Sequence, residues 1–366
     1  MKRRTFLRAA GAAGVAAVAG CSGPAGDANT TVGTTTGTVA ETRTLRVGTY
    51  EPFVDSPSVS PGPWLKDEFE RAHDDVEIEW LTPDSGLNYF IQQQQYDDGV
   101  EADVYVGLNA DDMVKVDAAL PDAQLFDDLS GDAVAHRDDV DAALRFDPEG
   151  RAIPYDTGYI SLVYDETPID APRTFDDLTK PAYEGTLLLQ NAQTSDPGRA
   201  FLLWTIRNRG EDAYLDFWEA LLENEARILG DWNAAYTAYS NEERPAVVSY
   251  STDQVYAHRN NQDMARHQIA FLDDQGYAVP EGMARFADAS HPDLAARFLD
   301  FVLSPRAQAE IAVRNVAFPA NTATEPPATF ADYAHRPPET VTHTYDELAG
   351  SLDGWVQSWA QTVADR

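Results

Sequence analysis

From residue 44 onward the chain alternates short apolar runs with longer stretches of helical period. Leu45-Arg46-Val47-Gly48-Thr49-Tyr50 predicts a first strand. Within 63–73, Trp64, Leu65 and Phe69 fall at helical spacing and predict a helix. Val76-Glu77-Ile78-Glu79-Trp80 alternates as a second strand, and the run 103–108 reads as a third. Strands separated by ten or more helical residues imply crossover units and a largely parallel sheet. A further strand pattern, 160–164, follows Pro154. The stretch 167–259 carries strand patterns at 185–189 and 246–250 and helical ones at 199–207 and 213–222. Residues 268–288 return to extended patterns, and the tail from Pro292 reads helical. At ~100–200 residues per domain, 366 residues support two domains, sequential or interleaved. There is no internal repeat.

The first 43 residues follow other rules. Lys2-Arg3-Arg4-Thr5-Phe6-Leu7 is a twin-arginine stretch, followed by an Ala/Gly/Val run that ends at Cys21. A charged start, a short apolar run and a small-residue site describe an export signal over 1–20. The run is too short to cross ~30 Å of hydrocarbon as a helix. Arg-Arg before Phe-Leu points to the twin-arginine route. Val18-Ala19-Gly20-Cys21 reads as a lipobox, with cleavage before Cys21 and lipid on its sulfur. Cys21 is the chain's one cysteine, so no internal disulfide can form. Residues 21–43, rich in Thr and Gly, read as a tether. Asn29-Thr30-Thr31 is a glycosylation acceptor pattern.

Charge changes the picture only in part. The net charge is −34, and lysine occurs only at Lys2, Lys66, Lys115 and Lys180. The acid is spread along the chain, which suits solvation in a salt-rich medium, where screening lengths fall to roughly 3 Å at 1 M salt. No basic stripe is present, which argues against nucleic acid. Apolar residues make up 43% of the chain, enough for an ordinary globular core.

Catalytic signatures are missing. No Gly-rich phosphate loop, HExxH, paired-cysteine metal pattern or Gly-x-Ser-x-Gly elbow occurs. The histidines are scattered, and His258 and His267 read as surface residues. Aromatics in polar, turn-prone segments stand out instead: Thr49-Tyr50-Glu51-Pro52-Phe53, Asp231-Trp232-Asn233, and Ser249-Tyr250-Ser251-Thr252 with Tyr256. Such segments gather beyond the carboxyl ends of strands in open α/β sheets, where ligands bind. Ser195, in Thr194-Ser195-Asp196-Pro197-Gly198, is placed to cap a helix whose free N–H groups suit an anion. A flat cationic ring suits this set, since an aromatic face attracts a cation by ~0.5–2 kcal/mol.

From about residue 45 to the end, the chain resembles the thiamine-binding receptors of bacterial ABC importers. The resemblance rests on Thr49-Tyr50, Ser60-Pro61-Gly62-Pro63, Ala102-Asp103-Val104, Pro154-Tyr155-Asp156-Thr157-Gly158-Tyr159, Thr194–Gly198, Trp232-Asn233-Ala234-Ala235-Tyr236, Ser249–Thr252 and Phe298-Leu299-Asp300-Phe301, in that order. It implies an α/β, two-lobed class II periplasmic-binding-protein fold: mixed sheets flanked by helices, with the ligand cleft between interleaved lobes. Lobe 1 would take 44–153 plus 280–366, and lobe 2 would take 154–279. Tyr50, Trp232, Tyr250 and Tyr256 would form aromatic walls. Asp84 would face the aminopyrimidine, and Ser195 the phosphate or hydroxyethyl end.

The resemblance further implies a monomeric, non-enzymatic receptor without cofactor or resident metal. It would be a lipoprotein of the haloarchaeal type, held to the outer face of the cell membrane by lipid on Cys21. It would deliver thiamine or a thiamine phosphate to a permease and its ATPase. Two segments depart from the pattern: Val59 and Ser60 replace a Trp-Gly before the Pro-Gly-Pro, and Val316 replaces a tryptophan before the late aromatic-Pro. Ferric iron or a polyamine on the same fold are the competing ligands, although the chain has no Tyr-Tyr pair of the kind iron receptors use. A secreted hydrolase is the competing class.

Overall fold

The computed structural model describes residues 42–366 apart from 57–58, 97–98, 130 and 132–133. The export signal, the tether, Asn29 and Cys21 lie outside the described residues. The chain opens with β1 (Arg43–Gly48), α1 (Glu51–Val54), α2 (Pro61–Ala72), β2 (Val76–Leu81), α3 (Leu87–Gln95), β3 (Val104–Leu108) and α4 (Ala110–Ala119). It continues with β4 (Ala152–Tyr164), β5 (Leu187–Gln190), α5 (Asp196–Arg209), α6 (Tyr214–Glu223), β6 (Arg227–Leu229), α7 (Trp232–Ser240), β7 (Ala246–Tyr250) and α8 (Asp253–Arg259). Next come β8 (Gln268–Ala270), β9 (Gln275–Arg285), α9 (Pro292–Leu303), α10 (Pro305–Arg314), β10 (Phe318–Pro319), α11 (Ala328–Ala331), β11 (Glu339–Val341), α12 (Tyr345–Ala349) and α13 (Leu352–Ala364).

The strands form one sheet in the order β2-β1-β3-β9-β4-β7-β5-β6, with β8, β10 and β11 paired beside β4 and β9. Its two ends are parallel, through β1 with β2 and β3, and β5 with β6 and β7. Its middle is antiparallel, because β4 and β9 run against each other and against their outer neighbours β7 and β3. The expected parallel character therefore holds at the ends and fails at the centre. The pairing is mixed, as the fold class requires.

The long central strand was legible only at its end. All thirteen residues of β4 are buried. With both faces covered it has no alternation to read. Separate apolar layers sit at the two ends of the sheet. One packs β1, β2 and β3 against α2 and α9 through Leu45, Val47, Phe69, Phe298 and Leu299. The other packs β4, β5 and β7 against α5, α6 and α13 through Leu162, Leu189, Phe201, Trp218 and Trp359. Helix α5 is buried on nearly every residue from Pro197 to Ile206, as a helix lodged under a sheet must be.

Gly198 lets the α5 N-terminus close on the sheet: a Cβ there would lie 2.7 Å from the Gln190 carbonyl oxygen. That close approach sets Ser195 at the end of β5. Among the described residues, no helix is long and apolar enough to cross a membrane.

Candidate functional site

The site is built where the two long central strands meet. Their register slips between Pro154 and Asp156, so Tyr155 and Asp156 both oppose Glu281. This bulge sets two side chains of one strand against a single residue of the other. The Tyr155 hydroxyl donates to Glu281 Oε2 at 2.6 Å, and the Tyr50 hydroxyl donates to the same oxygen at 3.0 Å. The Asn315 amide donates to Asp156 Oδ2 at 2.7 Å. Its carbonyl oxygen accepts a longer bond, 3.4 Å, from Tyr50. One network thus joins the end of β1, the bulge, β9 and the segment after α10.

Asp156 is 1% exposed, and its Oδ1 has no hydrogen-bond partner. Burial first, and the facing charge of Glu281 second, push its carboxyl well above the usual range. Burial also raises Glu281, while the hydroxyls of Tyr155 and Tyr50 draw it back down. Among the described residues, no bond from Lys, Arg or His reaches either carboxyl. Two carboxyls so placed resist ionising together.

Aromatic rings flank the pair, and glycines make room for them. The Tyr50 ring lies on Gly107, where a Cβ would come within 2.6 Å of it; Gly107 also has φ +101°, a region that glycine enters without strain. The Tyr250 ring lies on Gly158, where a Cβ would come within 2.7 Å. Burial raises the Tyr250 hydroxyl well above its ordinary value, with Glu281, Asp196 and Asp156 adding to it. Tyr50 and Tyr250 therefore bracket the acid pair.

Ser195 sits at the N-cap position of α5, but its side chain forms no capping bond. Its Oγ is buried and unpartnered. Beside it, Asp196 pairs with Arg199, which also pairs with Asp111 at the start of α4. This ion cluster borders a cavity of about 410 Å³ lined also by Asn109, Tyr277 and His343. None of the six expected ligand residues lines that cavity; it abuts the site through Asp196 and through Val279 and Pro280, which precede Glu281 on β9.

Trp232 and Tyr256 belong to a different neighbourhood. Trp232 stacks on Tyr236 at 4.8 Å between ring centroids and donates from its indole nitrogen to Ser249 Oγ. Tyr256 meets Tyr236 edge-on at 6.4 Å. The Tyr236 hydroxyl donates to Asp253, whose other oxygen lies 2.6 Å from His267 Nδ1. His267 is thus buried and bonded, which corrects its reading as a surface residue; burial on the far side of α8 gave no sequence signal. His258 is exposed and stacks on Tyr333.

Asp84 lies exposed in the turn before α3. The structure thus brings Tyr50 and Tyr250 to the acid pair, and Trp232 and Tyr256 to the Tyr236 cluster, with Asp84 in an exposed turn. Sequence reasoning missed Glu281 and Asn315 as site residues. It had Asp156 only as part of a motif, since a bulge has no pattern of its own. Val316, where a tryptophan was expected, has φ 54°, a strained region for a β-branched residue, directly after Asn315.

A two-lobed fold whose central strands carry buried, partly unsatisfied polar groups describes a solute receptor, and the relatives agree. The profile of the bacterial extracellular solute-binding protein family matches residues 86–337, and this chain belongs to that family. It is similar to the thiamine-binding periplasmic protein of Escherichia coli (strain K12), 27% identical over 325 residues, covering 87% of this chain and 93% of the relative. The protein of the same name from Brucella suis biovar 1 (strain 1330) is 27% identical over 320 residues, covering 86% and 91%. A solved periplasmic thiamin binding protein superposes with a TM-score of 0.75 at 26% identity, over 88% of this chain and 96% of its own. The apo ferric ion-binding protein A of Pasteurella haemolytica shares the fold, with a TM-score of 0.71 at 15% identity over 88% and 98%.

Proposed function

We propose that this receptor binds thiamine or a thiamine phosphate and hands it to an ABC permease and its ATPase. The carrying observation is the bracket of Tyr50 and Tyr250 around the buried acid pair. A flat cation satisfies both: its faces meet the rings, and its charge meets the carboxyls. The unpartnered Ser195 Oγ at the start of α5 suits a hydroxyl or phosphate end. Trp232 and Tyr256 complete the wall on the β7 side, and Asp84 closes on the aminopyrimidine from its exposed turn.

The relatives' names support the same ligand. Ferric iron is less well served, since no group of three or more His, Cys, Asp or Glu that could hold a metal occurs among the described residues. The lobes divide at 153/154 within β4 and at 279/280 within β9, and the chain crosses once more before α13. We place α13 with the second lobe because it packs on α6. Lipid on Cys21 would hold a monomeric receptor at the outer face of the membrane.

Calorimetric titration with thiamine in high salt tests the reading. One-to-one binding at micromolar concentration or below is expected, about −8 kcal/mol or stronger. A folded receptor that ignores thiamine but binds a polyamine or ferric iron overturns it.

A further inference from the structure

The acid pair has a consequence beyond recognition. Asp156 and Glu281 face each other on paired strands, and the side chains that bond them, from Tyr50, Tyr155 and Asn315, are all uncharged at neutral pH. Around them stand Tyr250 from β7, Tyr105 from β3 and Asp196 from α5, none of them cationic. The nearby cations Arg199 and Lys115 are engaged with Asp111, Asp196 and Asp112. One carboxylate oxygen, Asp156 Oδ1, is buried without a donor.

Resting on the thiamine reading above, we propose that Asp156 and Glu281 share one proton in the empty receptor and release it when the cationic ring enters. Capture of the ligand is then an exchange: one fixed positive charge enters the cleft and one proton leaves for bulk water. No bond other than the O–H is broken. The empty pair carries a single negative charge, which two buried carboxyls tolerate, and the occupied pair carries two against the ring's one. The raised carboxyl of Asp156 accords with this. Affinity then rises with pH while the empty pair holds its proton, by up to about tenfold per pH unit, and levels off once it no longer does.

The test titrates thiamine into the full-length receptor at neutral pH and high salt, in two buffers of different ionisation enthalpy. A neutral analogue with thiophene in place of the thiazolium is the second ligand. It keeps the aminopyrimidine, so any proton moved by that ring appears in both titrations. The expected result is about one proton released per thiamine and none per analogue. Asp112, which burial pushes up to about 7, is a second titrating group nearby. Glu281→Gln separates the two, because it leaves Asp112 intact and gives Asp156 no partner to share with. Thiamine should bind this variant more weakly, because the ring loses one carboxylate, and the protons released per thiamine bound should fall well below those of the unaltered receptor.

Thiamine binding that is indifferent to buffer in the unaltered receptor overturns the proton exchange while leaving the ligand in place. Equal release with thiamine and analogue, or release retained in Glu281→Gln, also overturns it. A folded receptor that binds no thiamine removes the ligand reading and the exchange together.

Discussion

Two aromatic regions, both built on the same sheet, differ in what the protein leaves unfinished. Around Tyr236, the buried polar groups at the centre bond one another: its hydroxyl meets Asp253, Asp253 meets His267, and the Trp232 indole meets Ser249. Around Asp156 and Glu281, the chain stops short. Asp156 Oδ1 and Ser195 Oγ are buried without partners, and two carboxyls face each other across paired strands. Leaving a buried polar group unmade costs ~1–3 kcal/mol. A protein that bonds the centre of one aromatic cluster internally and leaves its neighbour incomplete marks the second as the place where a ligand finishes the structure. The first acts as the wall that holds it in place.

The comparison breaks most readily at Tyr50. Tyr50→Ala removes a ring face and one of the two donors to Glu281, and should weaken thiamine by ~2–3 kcal/mol with a modest loss of stability. Calorimetry and urea unfolding on the same variant separate the two effects. Tyr236→Phe should do the reverse. It strips Asp253 of a buried donor and should lower stability by ~1–3 kcal/mol, while affinity changes little. A large affinity loss with unchanged stability would place the ligand against Tyr236.

Trp232→Ala tests the boundary between the regions. It should weaken thiamine by ~1–3 kcal/mol if the indole faces the ligand as well as Tyr236. An unchanged affinity confines Trp232 to the supporting wall.

The acid pair also sharpens the comparison through pH. Its carboxyls titrate higher folded than unfolded, so the native state holds more protons than the unfolded one above the ordinary carboxylate range. Stability from this pair is therefore fully present below the unfolded pKa and is lost as pH rises toward the raised folded values. Relative to the unaltered receptor, Glu281→Gln should gain stability progressively over that rise. Thermal melts of the two ligand-free proteins across pH check the sign. The smallest effect is expected at Ser195. Its replacement by Ala should weaken a thiamine phosphate by ~0.5–1.5 kcal/mol more than thiamine itself.

What the sequence revealed follows from what leaves a periodic trace. The amphipathic strands β1 and β2 and the helices α2 and α5 were legible to within a few residues, because one face of each meets water or a helix cap interrupts it. The first half of β4 was not legible, since every residue in it is buried. The turn segments at Tyr50, Ser195 and Tyr250 were visible as aromatics and hydroxyls among turn residues. Glu281 was invisible in a chain so rich in acid. Only the bulge at Tyr155 tells it apart from the acidic residues on the surface, and a bulge exists only once two strands have paired.

The central claim is that the cleft beside Asp156 and Glu281 takes a flat cation, and titration with thiamine in high salt tests it most directly. One-to-one binding at micromolar concentration or tighter, weakened in Tyr50→Ala and not in Tyr236→Phe, is the predicted result. A folded receptor that binds thiamine equally well without Tyr50, or does not bind it at all, would contradict the account.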